Sequence, residues 1–323
     1  MTATFQLRAR GPYSLAESAG FSFIDRETGP RAPELRIAFC SDTTFEPTAL
    51  HLTQQTPNGG VEVHGDPAAR GQLERILGLD VDATGFTEVG DRDPVVAALQ
   101  AAAPGLRPPV LPSAYEAAAW CILAARRTGT QARTMRRRLA EQAGTVLNVA
   151  GEPVVCLPPP ADLLTAAPVP GLDDVRLQRL RGVARAALDG RLDTAELRAM
   201  DPAQARAHVE ELAGIGPFSS AIIVGRGLGH TDVLFGPITE LNQRAGALYQ
   251  LGHDASPQEL ANIAKAWSPW RSWVQVYFRA VTDRLPPRHR LLGEHTSQDE
   301  RKPPTQPSAL AGRVTRQTVV RPD

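Results

Sequence analysis

The sequence predicts an α+β fold in which a small unit of strands and helices precedes a larger helical region. Apart from one short hairpin, segments typical of β-strands lie in the first ninety residues, whereas apolar residues beyond Ser113 mostly recur at helical spacing. From Arg284 onward the chain is rich in Pro, Arg, Gln and Ser without periodicity, which is typical of disorder. We therefore expect an α+β domain at 1–90, a helical domain at 91–283 and a disordered tail at 284–323.

Turn residues separate the predicted elements of the first domain. The Pro57-Asn-Gly-Gly60 cluster is typical of a turn between two antiparallel strands. Asp93-Pro94 precedes an Ala-rich helix, and Gly105 with the prolines that follow it marks the junction between the two domains. The strands are predicted at 35–40, 49–54 and 61–64, and a helix ending at Gly78 is predicted at 67–77.

Within the helical domain, the hydroxyl of Ser113 can cap a helix that runs to about Ala125. Glu116 lies three residues later and completes the sequence pattern of a capping box. A short β-hairpin is expected around Gly151, and the remaining elements are expected to be helical. The hairpin is predicted at 146–157, and helices at 173–188, 194–200, 203–212, 239–251 with Thr239 as N-cap, and 266–281.

Composition excludes several classes of protein. Lys+Arg and Asp+Glu both number 35, so any nucleic-acid contact must come from local patches of charge. The three cysteines are scattered and provide no ligand set for zinc or an iron–sulfur cluster. No apolar run is long enough to span a bilayer, and no apolar signal core opens the sequence. We expect a monomeric cytoplasmic protein.

The segment from Leu212 to Ala221 carries a Gly-Ile-Gly turn between two apolar helical segments. Glycines permit close backbone approach, and the amides at the start of the second helix then favour an anion such as a DNA phosphate. A purely structural turn through glycine is the alternative. The residues assigned to this helix-hairpin-helix contact are Leu212, Gly214, Ile215, Gly216, Phe218 and Ser219.

Arginines cluster just beyond the helix that ends near Ala125. They are Arg126, Arg127, Arg133, Arg136, Arg137 and Arg138. The cluster can bind a DNA backbone, with Arg126 and Arg127 nearest the helix end, or it can be a solvated helix face that answers the helix dipole. Trp267, Trp270 and Trp273 present a similar choice between stacking on bases and packing in the core, and we expect core packing.

Residues 5–282 resemble the DNA-3-methyladenine glycosylase II family, the AlkA-like proteins of the helix-hairpin-helix glycosylase superfamily. Besides the hairpin, the resemblance is carried by Pro12-Tyr13, Gly20-Phe21, Asp93-Pro94, Pro104-Gly-Leu-Arg107, Ser113-Ala-Tyr-Glu116, Ile122-Leu123, Arg226-Gly227, Asp232-Val233 and Trp267-Ser-Pro-Trp-Arg-Ser272. It implies a TATA-binding-protein-like α+β domain followed by an all-α helix-hairpin-helix glycosylase domain.

The resemblance also implies an activity in base-excision repair. Such enzymes bind double-stranded DNA, flip an alkylated base out of the duplex and hydrolyse its N-glycosidic bond, without a metal or organic cofactor. An Asp at the start of the helix after the Asp232-Val233 loop stabilises the sugar cation. Here Ile238 occupies that position, which leaves Glu240 and Asp232 as the nearby carboxylates.

A second departure from the family lies at Arg126, where an apolar wedge usually fills the gap left by the flipped base. Arginine can stack on a base or hold a phosphate instead. Three functions therefore stay open. The chain is an active glycosylase, a catalytically inactive relative that recognises damaged or distorted DNA, or a structural homologue that uses the hairpin only for packing.

Overall fold

An antiparallel sheet of four strands forms the N-terminal part of the protein, whose computed structural model describes residues 3–20, 32–143 and 145–286. The strand order is β1-β4-β3-β2. Three of the strands were predicted, and β1 was not, because four residues near the chain end are too few for a clear alternation. The strands are β1 Thr4–Leu7, β2 Glu34–Cys40, β3 Pro47–Thr53 and β4 Val61–His64.

Two helices and a set of buried apolar side chains complete this sheet unit. Leu7, Ile37, Leu50 and Val63 from the four strands are fully buried in one apolar core with Leu73. The expected turn carries Asn58 at φ 63°, and the predicted helix is a 3-10 turn that continues as an α-helix. The helices are α1 Leu15–Ala19 and α2 Arg70–Ile76, after the 3-10 turn Pro67–Ala69.

The rest of the described chain is mainly helical. A further 3-10 turn covers Thr84–Phe86. The helices before the second sheet are α3 Glu88–Arg92, α4 Pro94–Ala102, α5 Ala114–Ala124 and α6 Gly129–Ala143. Those after it are α7 Pro160–Thr165, α8 Asp174–Leu188, α9 Thr194–Ala199, α10 Pro202–Glu210, α11 Pro217–Arg226, α12 Thr239–Leu248, α13 Pro257–Ile263 and α14 Arg271–Val281.

The helices bury two separate apolar cores. The first helical core is formed by side chains from all the helices from α5 through α11, among them Ile122, Leu180 and Ile223. The second helical core joins α3 and α4 to α12, α13 and α14. It contains Trp267, Trp270 and Trp273, which are only 0%, 7% and 5% exposed. The tryptophans therefore pack in the core, as expected, and are not available to stack on bases.

The expected β-hairpin is present. The prediction that the domain at 91–283 is all-α is therefore wrong, because this domain contains two strands. Strands β5 Val146–Val149 and β6 Glu152–Val155 pair antiparallel. Val154 and Cys156 pack with Ala38 and Cys40 of β2 in a small apolar cluster. Because the hairpin covers apolar side chains of β2, the strand ends in four consecutive buried residues instead of alternating.

The predicted capping box at α5 forms only in part. Ser113 Oγ accepts from the Glu116 amide at 3.1 Å, as the pattern requires. The Glu116 carboxylate, however, accepts from the Cys40 amide at 3.0 Å and lies 3.8 Å from Arg136 Nη2. A buried guanidinium and a strand-end amide thus draw the carboxylate away from the helix start. Glu116 links α5 to β2 and α6.

Arg107 connects the two predicted domains. Its side chain is 1% exposed. Its guanidinium donates to the carbonyl oxygens of Pro12 at 3.0 Å, Gly78 at 2.8 Å and Val81 at 3.0 Å. The chain through Leu285 is one compact unit, so the division at 90/91 stays a prediction.

The last described turn, Thr282–Arg284, belongs to the folded unit, because Arg284 pairs with Glu17 of α1. The predicted disordered tail lies outside the described residues from 287 onward. Within 3–20, 32–143 and 145–286, no helix combines the length and apolar character that crossing a bilayer requires.

Candidate functional site

Helices α10 and α11 and the turn between them form the predicted helix-hairpin-helix. The side chains of Leu212 and Ile215 are 7% and 5% exposed and belong to the first helical core. The Ile215 amide donates to the Leu212 carbonyl at 3.0 Å. These two apolar residues hold the turn to the protein, so any contact with a ligand here would be made by the backbone and by neighbouring side chains.

The two glycines of the turn have different surroundings. Gly214 has φ +93°, and a Cβ placed on it would lie 2.7 Å from Arg179 Cδ and 3.0 Å from Ile122 Cδ1. Gly214 is therefore required by the packing of the turn against α8 and α5. Gly216 has an extended backbone at φ −114°, and a Cβ there would meet nothing within 4 Å. Packing does not explain Gly216.

The N-terminus of α11 faces outward without a side-chain cap. Gly216 is the N-cap and offers no capping side chain, and Pro217 stands at the first helical position as predicted. The amides of a first helical turn have no partner within the helix, and the helix dipole adds positive charge there. Phe218, in this turn, is 49% exposed. The arrangement offers an anion the amides at the helix start beside an exposed aromatic ring.

Arg179 of α8 lies beside this turn and was not identified from the sequence. Its side chain is exposed, and it makes no hydrogen bond or ion pair within the described part of the chain. Its aliphatic stem lies against Gly214. The signal in the sequence was weak, because α8 carries several arginines and only the fold shows which of them reaches the hairpin.

The arginines beyond α5 do not form one uniform surface. Arg136 is buried against Glu116, so it cannot contact a ligand. Arg127 donates to the carbonyls of Leu123 at 3.3 Å and Gly171 at 2.8 Å, which fixes its position. Arg126 is exposed, has φ +56°, and has no hydrogen-bond or ion-pair partner among residues the structure describes. The structure therefore separates arginines that the protein holds from the exposed Arg126, and the choice between the two interpretations of the cluster stays a prediction.

Ile238 is the N-cap of α12, with φ −118° and no side-chain capping bond. The prediction that Thr239 is the N-cap is wrong, since Thr239 is the first helical residue. The helix also ends at Leu248 and not at Leu251, because Gln250 adopts φ 56° and leaves the helical path. The partly buried Ile238 side chain packs against both helical cores, so it lies where the two cores meet.

Asp232 and Glu240, the two candidate carboxylates, are both bound by arginines. Asp232 accepts from Arg271 at 2.6 and 2.8 Å and from Ser268 Oγ at 2.9 Å. Although partial burial raises the pKa of Asp232, these hydrogen bonds outweigh it and hold the pKa below the ordinary value. Glu240 lies 3.0 Å from Arg244 and 3.3 Å from Arg279. Each carboxylate therefore has a structural partner.

Known proteins similar to this chain were found by sequence and by structure, although no family model matches. A DNA-3-methyladenine glycosylase of Bacillus subtilis (strain 168) is 23% identical over 210 residues, which are 63% of this chain and 68% of that protein. A probable bifunctional transcriptional activator/DNA repair enzyme AlkA of Mycobacterium tuberculosis (strain ATCC 25618 / H37Rv) is 29% identical over 208 residues, 64% of this chain and 41% of that protein.

The solved structure of a 3-methyladenine DNA-glycosylase from Archaeoglobus fulgidus has a TM-score of 0.72 to this chain at 17% identity. The superposition covers 86% of this chain and 98% of that one. This similarity shows the fold, a mixed helical architecture with a small antiparallel sheet. The chain spans less than half the length of the mycobacterial relative and about two thirds of the Bacillus one.

Proposed function

We propose that this chain is an AlkA-like protein of the helix-hairpin-helix glycosylase superfamily that binds duplex DNA through its hairpin and acts on alkylated bases in base-excision repair. The observation that carries the proposal is the outward, uncapped start of α11 behind Gly216. Packing within the protein does not require glycine at position 216, because a Cβ there would meet open space. A DNA phosphate that approaches the backbone closely does require the absence of a side chain. The Bacillus relative, named DNA-3-methyladenine glycosylase, and the mycobacterial relative, named a probable DNA repair enzyme AlkA, support the same function.

In this proposal the hairpin binds the DNA backbone without reading sequence. The amides of Gly216, Phe218 and Ser219 face one phosphate, with Gly214 shaping the turn behind them. The exposed Arg179 adds positive charge beside the turn. Contacts of this kind set the position of a protein on a duplex and make its affinity fall with salt concentration.

The chemistry of base release is proposed to be slow. Ile238 occupies the position that the family resemblance assigns to the catalytic Asp, and an aliphatic side chain cannot stabilise positive charge on the sugar. Asp232 and Glu240 are each bound by arginines, which reduces their capacity to replace it. A base that already carries positive charge, such as 3-methyladenine or 7-methylguanine, leaves most easily and is the substrate class that such a site can process.

The second candidate function is a catalytically inactive protein that recognises damaged or distorted DNA. The observation that favours it is the engagement of both candidate carboxylates in ion pairs. In this case the protein would keep the hairpin and its binding to DNA but would no longer hydrolyse the N-glycosidic bond. The two candidates share DNA binding and differ only in whether free base is released.

The deciding experiment measures free methylated base released from alkylated duplex DNA by the wild-type protein and by Glu240→Gln. Slow release that is unchanged in Glu240→Gln supports the glycosylase proposal with the site as described. Binding of the duplex without release supports the inactive alternative. Robust release that Glu240→Gln abolishes would show that Glu240 is the catalytic carboxylate. No binding at all would contradict both functions.

The proposal also covers the type of the N-terminal domain, the oligomeric state and the location of the protein. We propose that the four-stranded sheet unit is a TATA-binding-protein-like domain with its boundary near residue 90, and that the protein acts as a monomer in the cytoplasm. The antiparallel sheet with α1 and α2 packed in its core supports the first of these. Analytical ultracentrifugation with and without a duplex tests the monomeric state.

A further inference from the structure

An open cleft lies beside the end of α5 and includes Arg126 in its lining. It has a volume of about 400 Å³ and is lined by the first two turns of α6, by Arg138 and by Gly171. Among the described residues, its lining contains three arginines and no carboxylate. The lining residues are Arg126, Arg127, Thr130, Gln131, Thr134, Met135, Arg138 and Gly171.

The guanidinium groups of the cleft are held in place without being neutralised. Arg127 is fixed by the Leu123 and Gly171 carbonyls, and Arg138 Nη1 donates to the Pro170 carbonyl at 3.1 Å. Each guanidinium has five N–H donors, so several remain for a ligand. Carbonyl oxygens satisfy hydrogen bonds but cancel no charge. The cleft therefore holds like charges together with no bound counter-charge from its own lining.

The carboxylate of Asp173, two residues after Gly171, is hydrogen-bonded to Arg176 and also interacts electrostatically with Arg127 of the cleft. Asp173 caps α8 through the Arg176 amide at 2.8 Å, and its carboxylate pairs with the Arg176 guanidinium. Gly171 has φ +86°, and a Cβ placed there would lie 3.3 Å from Arg138 Nη1. The glycine thus permits the 165–173 loop to approach Arg138 closely and to form one wall of the cleft.

The cleft and the hairpin both lie near the C-terminal end of α5. Gly214 packs against Ile122, and Ile122 precedes Arg126 by one helical turn, about 5 Å along the axis. Arg176 Nη2 also donates to the Ala125 carbonyl at 2.9 Å, which ties α8 to this end of α5. Phosphates follow one another along a DNA strand on a similar scale of a few ångströms. One duplex can reach both features.

We propose that this cleft binds a second phosphate of the DNA backbone, separate from the one at the hairpin, through Arg126 and Arg138. The proposal rests on the proposed DNA-binding function and adds a defined site to it. Guanidinium groups suit a phosphate because they donate two parallel hydrogen bonds to its oxygens. Arg126 is exposed and has no hydrogen-bond or ion-pair partner among the described residues, so its side chain can turn toward the strand. Arg136, although in the same cluster, takes no part because it is buried.

The test measures affinity for an alkylated duplex over a series of salt concentrations. Replacing Arg126 and Arg138 by Ala together should weaken binding severalfold and reduce the slope of log K against log salt by about 1, the change expected for one lost phosphate contact. Arg8→Ala is the charge control matched to the single variant Arg126→Ala, because each removes one positive charge from an exposed position, and Arg8 follows β1, the edge strand farthest from β2. The single variant Arg126→Ala guards against misfolding, since its side chain has no described partner.

Phosphate-ethylation interference then locates the contact. One phosphate should be required by the wild type and by Gly216→Val but not by the Arg126/Arg138 variant. If that variant keeps the wild-type slope and interference pattern while Gly216→Val loses affinity, the cleft does not bind DNA and the hairpin proposal stands. If Arg8→Ala changes the slope as much as the cleft variant, general charge explains the effect and the cleft proposal is wrong. Absence of any duplex binding overturns both.

Discussion

The guanidinium of Arg271 holds the carboxylate of Asp232 on both oxygens, with Nε 2.6 Å from Oδ1 and Nη2 2.8 Å from Oδ2. Arg271 is the first residue of α14, so the pair fastens the loop before α12 to the start of the last helix. A carboxylate bound in this way is stabilised as the anion and has little freedom to approach a sugar. Its role is to place the loop that leads to Ile238.

Asp232→Asn should therefore lower stability and leave base release nearly unchanged. The pair is partly exposed, so we expect a loss of about 1 kcal/mol in the free energy of unfolding. Because the pKa of Asp232 lies below its ordinary value of 3.8, its contribution is present above pH 3.8 and is lost as pH falls through the folded pKa. Urea unfolding across the acid range should show a shallower pH dependence in the variant. A large loss of base release at unchanged stability would instead assign Asp232 to the chemistry.

Gly216→Val should weaken DNA binding without loss of stability, whereas Gly214→Ala should lower stability. A side chain at Gly216 meets open space, so stability should hold while DNA affinity falls severalfold. At Gly214 the positive φ and the contact with Arg179 should cost about 1 kcal/mol or more of stability. Thermal unfolding and fluorescence anisotropy with a duplex separate the two effects. Unchanged affinity in Gly216→Val would argue that the hairpin only packs.

Ile238→Asp should raise the release of methylated base, by up to about a hundredfold if the carboxylate supplies the missing electrostatic stabilisation. Asp is also a favoured N-cap residue, so the helix start should gain a capping bond that it lacks now. Ile238→Asn is the matched control, because it provides the cap without the charge. Equal release by the two variants would show that position 238 contributes no electrostatic catalysis.

Glu116→Gln should make stability less dependent on pH between 4.5 and 7. Burial raises the pKa of Glu116 from 4.5 to about 7, and the nearby Arg136 opposes the shift only in part. A raised pKa means that this group's contribution is fully present below pH 4.5 and is lost as pH rises through 7, by a few kcal/mol in order of magnitude. The variant should also be less stable overall, since Arg136 loses its partner. If chemical denaturation shows the same dependence of stability on pH in the variant and the wild type, the raised pKa of Glu116 is refuted.

Local signals in the sequence predicted much of the fold. Turn residues located the β3–β4 turn, Ser113 located the start of α5, and Gly151 located the β5–β6 hairpin. These signals succeed because the bonds that make a turn or a cap lie within a few residues of each other. The capping box predicted at Glu116 formed only in part because the partners of this carboxylate, Cys40 and Arg136, are distant in sequence.

The candidate site was less accessible to sequence reasoning for the same physical reason. Gly214 and Gly216 look equivalent in the sequence, yet only the packing of α8 and α5 shows that one serves the turn and the other leaves open space. Asp232 and Glu240 look like free carboxylates until the fold brings Arg271 and Arg279 to them. Three-dimensional partners decide what a charged side chain can do.

The burial of Arg107 has a consequence for the order in which the protein can be completed during synthesis. The ribosome releases all four strands of the first sheet before it reaches Arg107, yet the carbonyls of Pro12, Gly78 and Val81 receive its guanidinium in the finished protein. A nascent chain that stops near residue 90 therefore contains all four strand segments but lacks this shared donor. The N-terminal unit reaches its final form only when the polypeptide after it has begun to fold back.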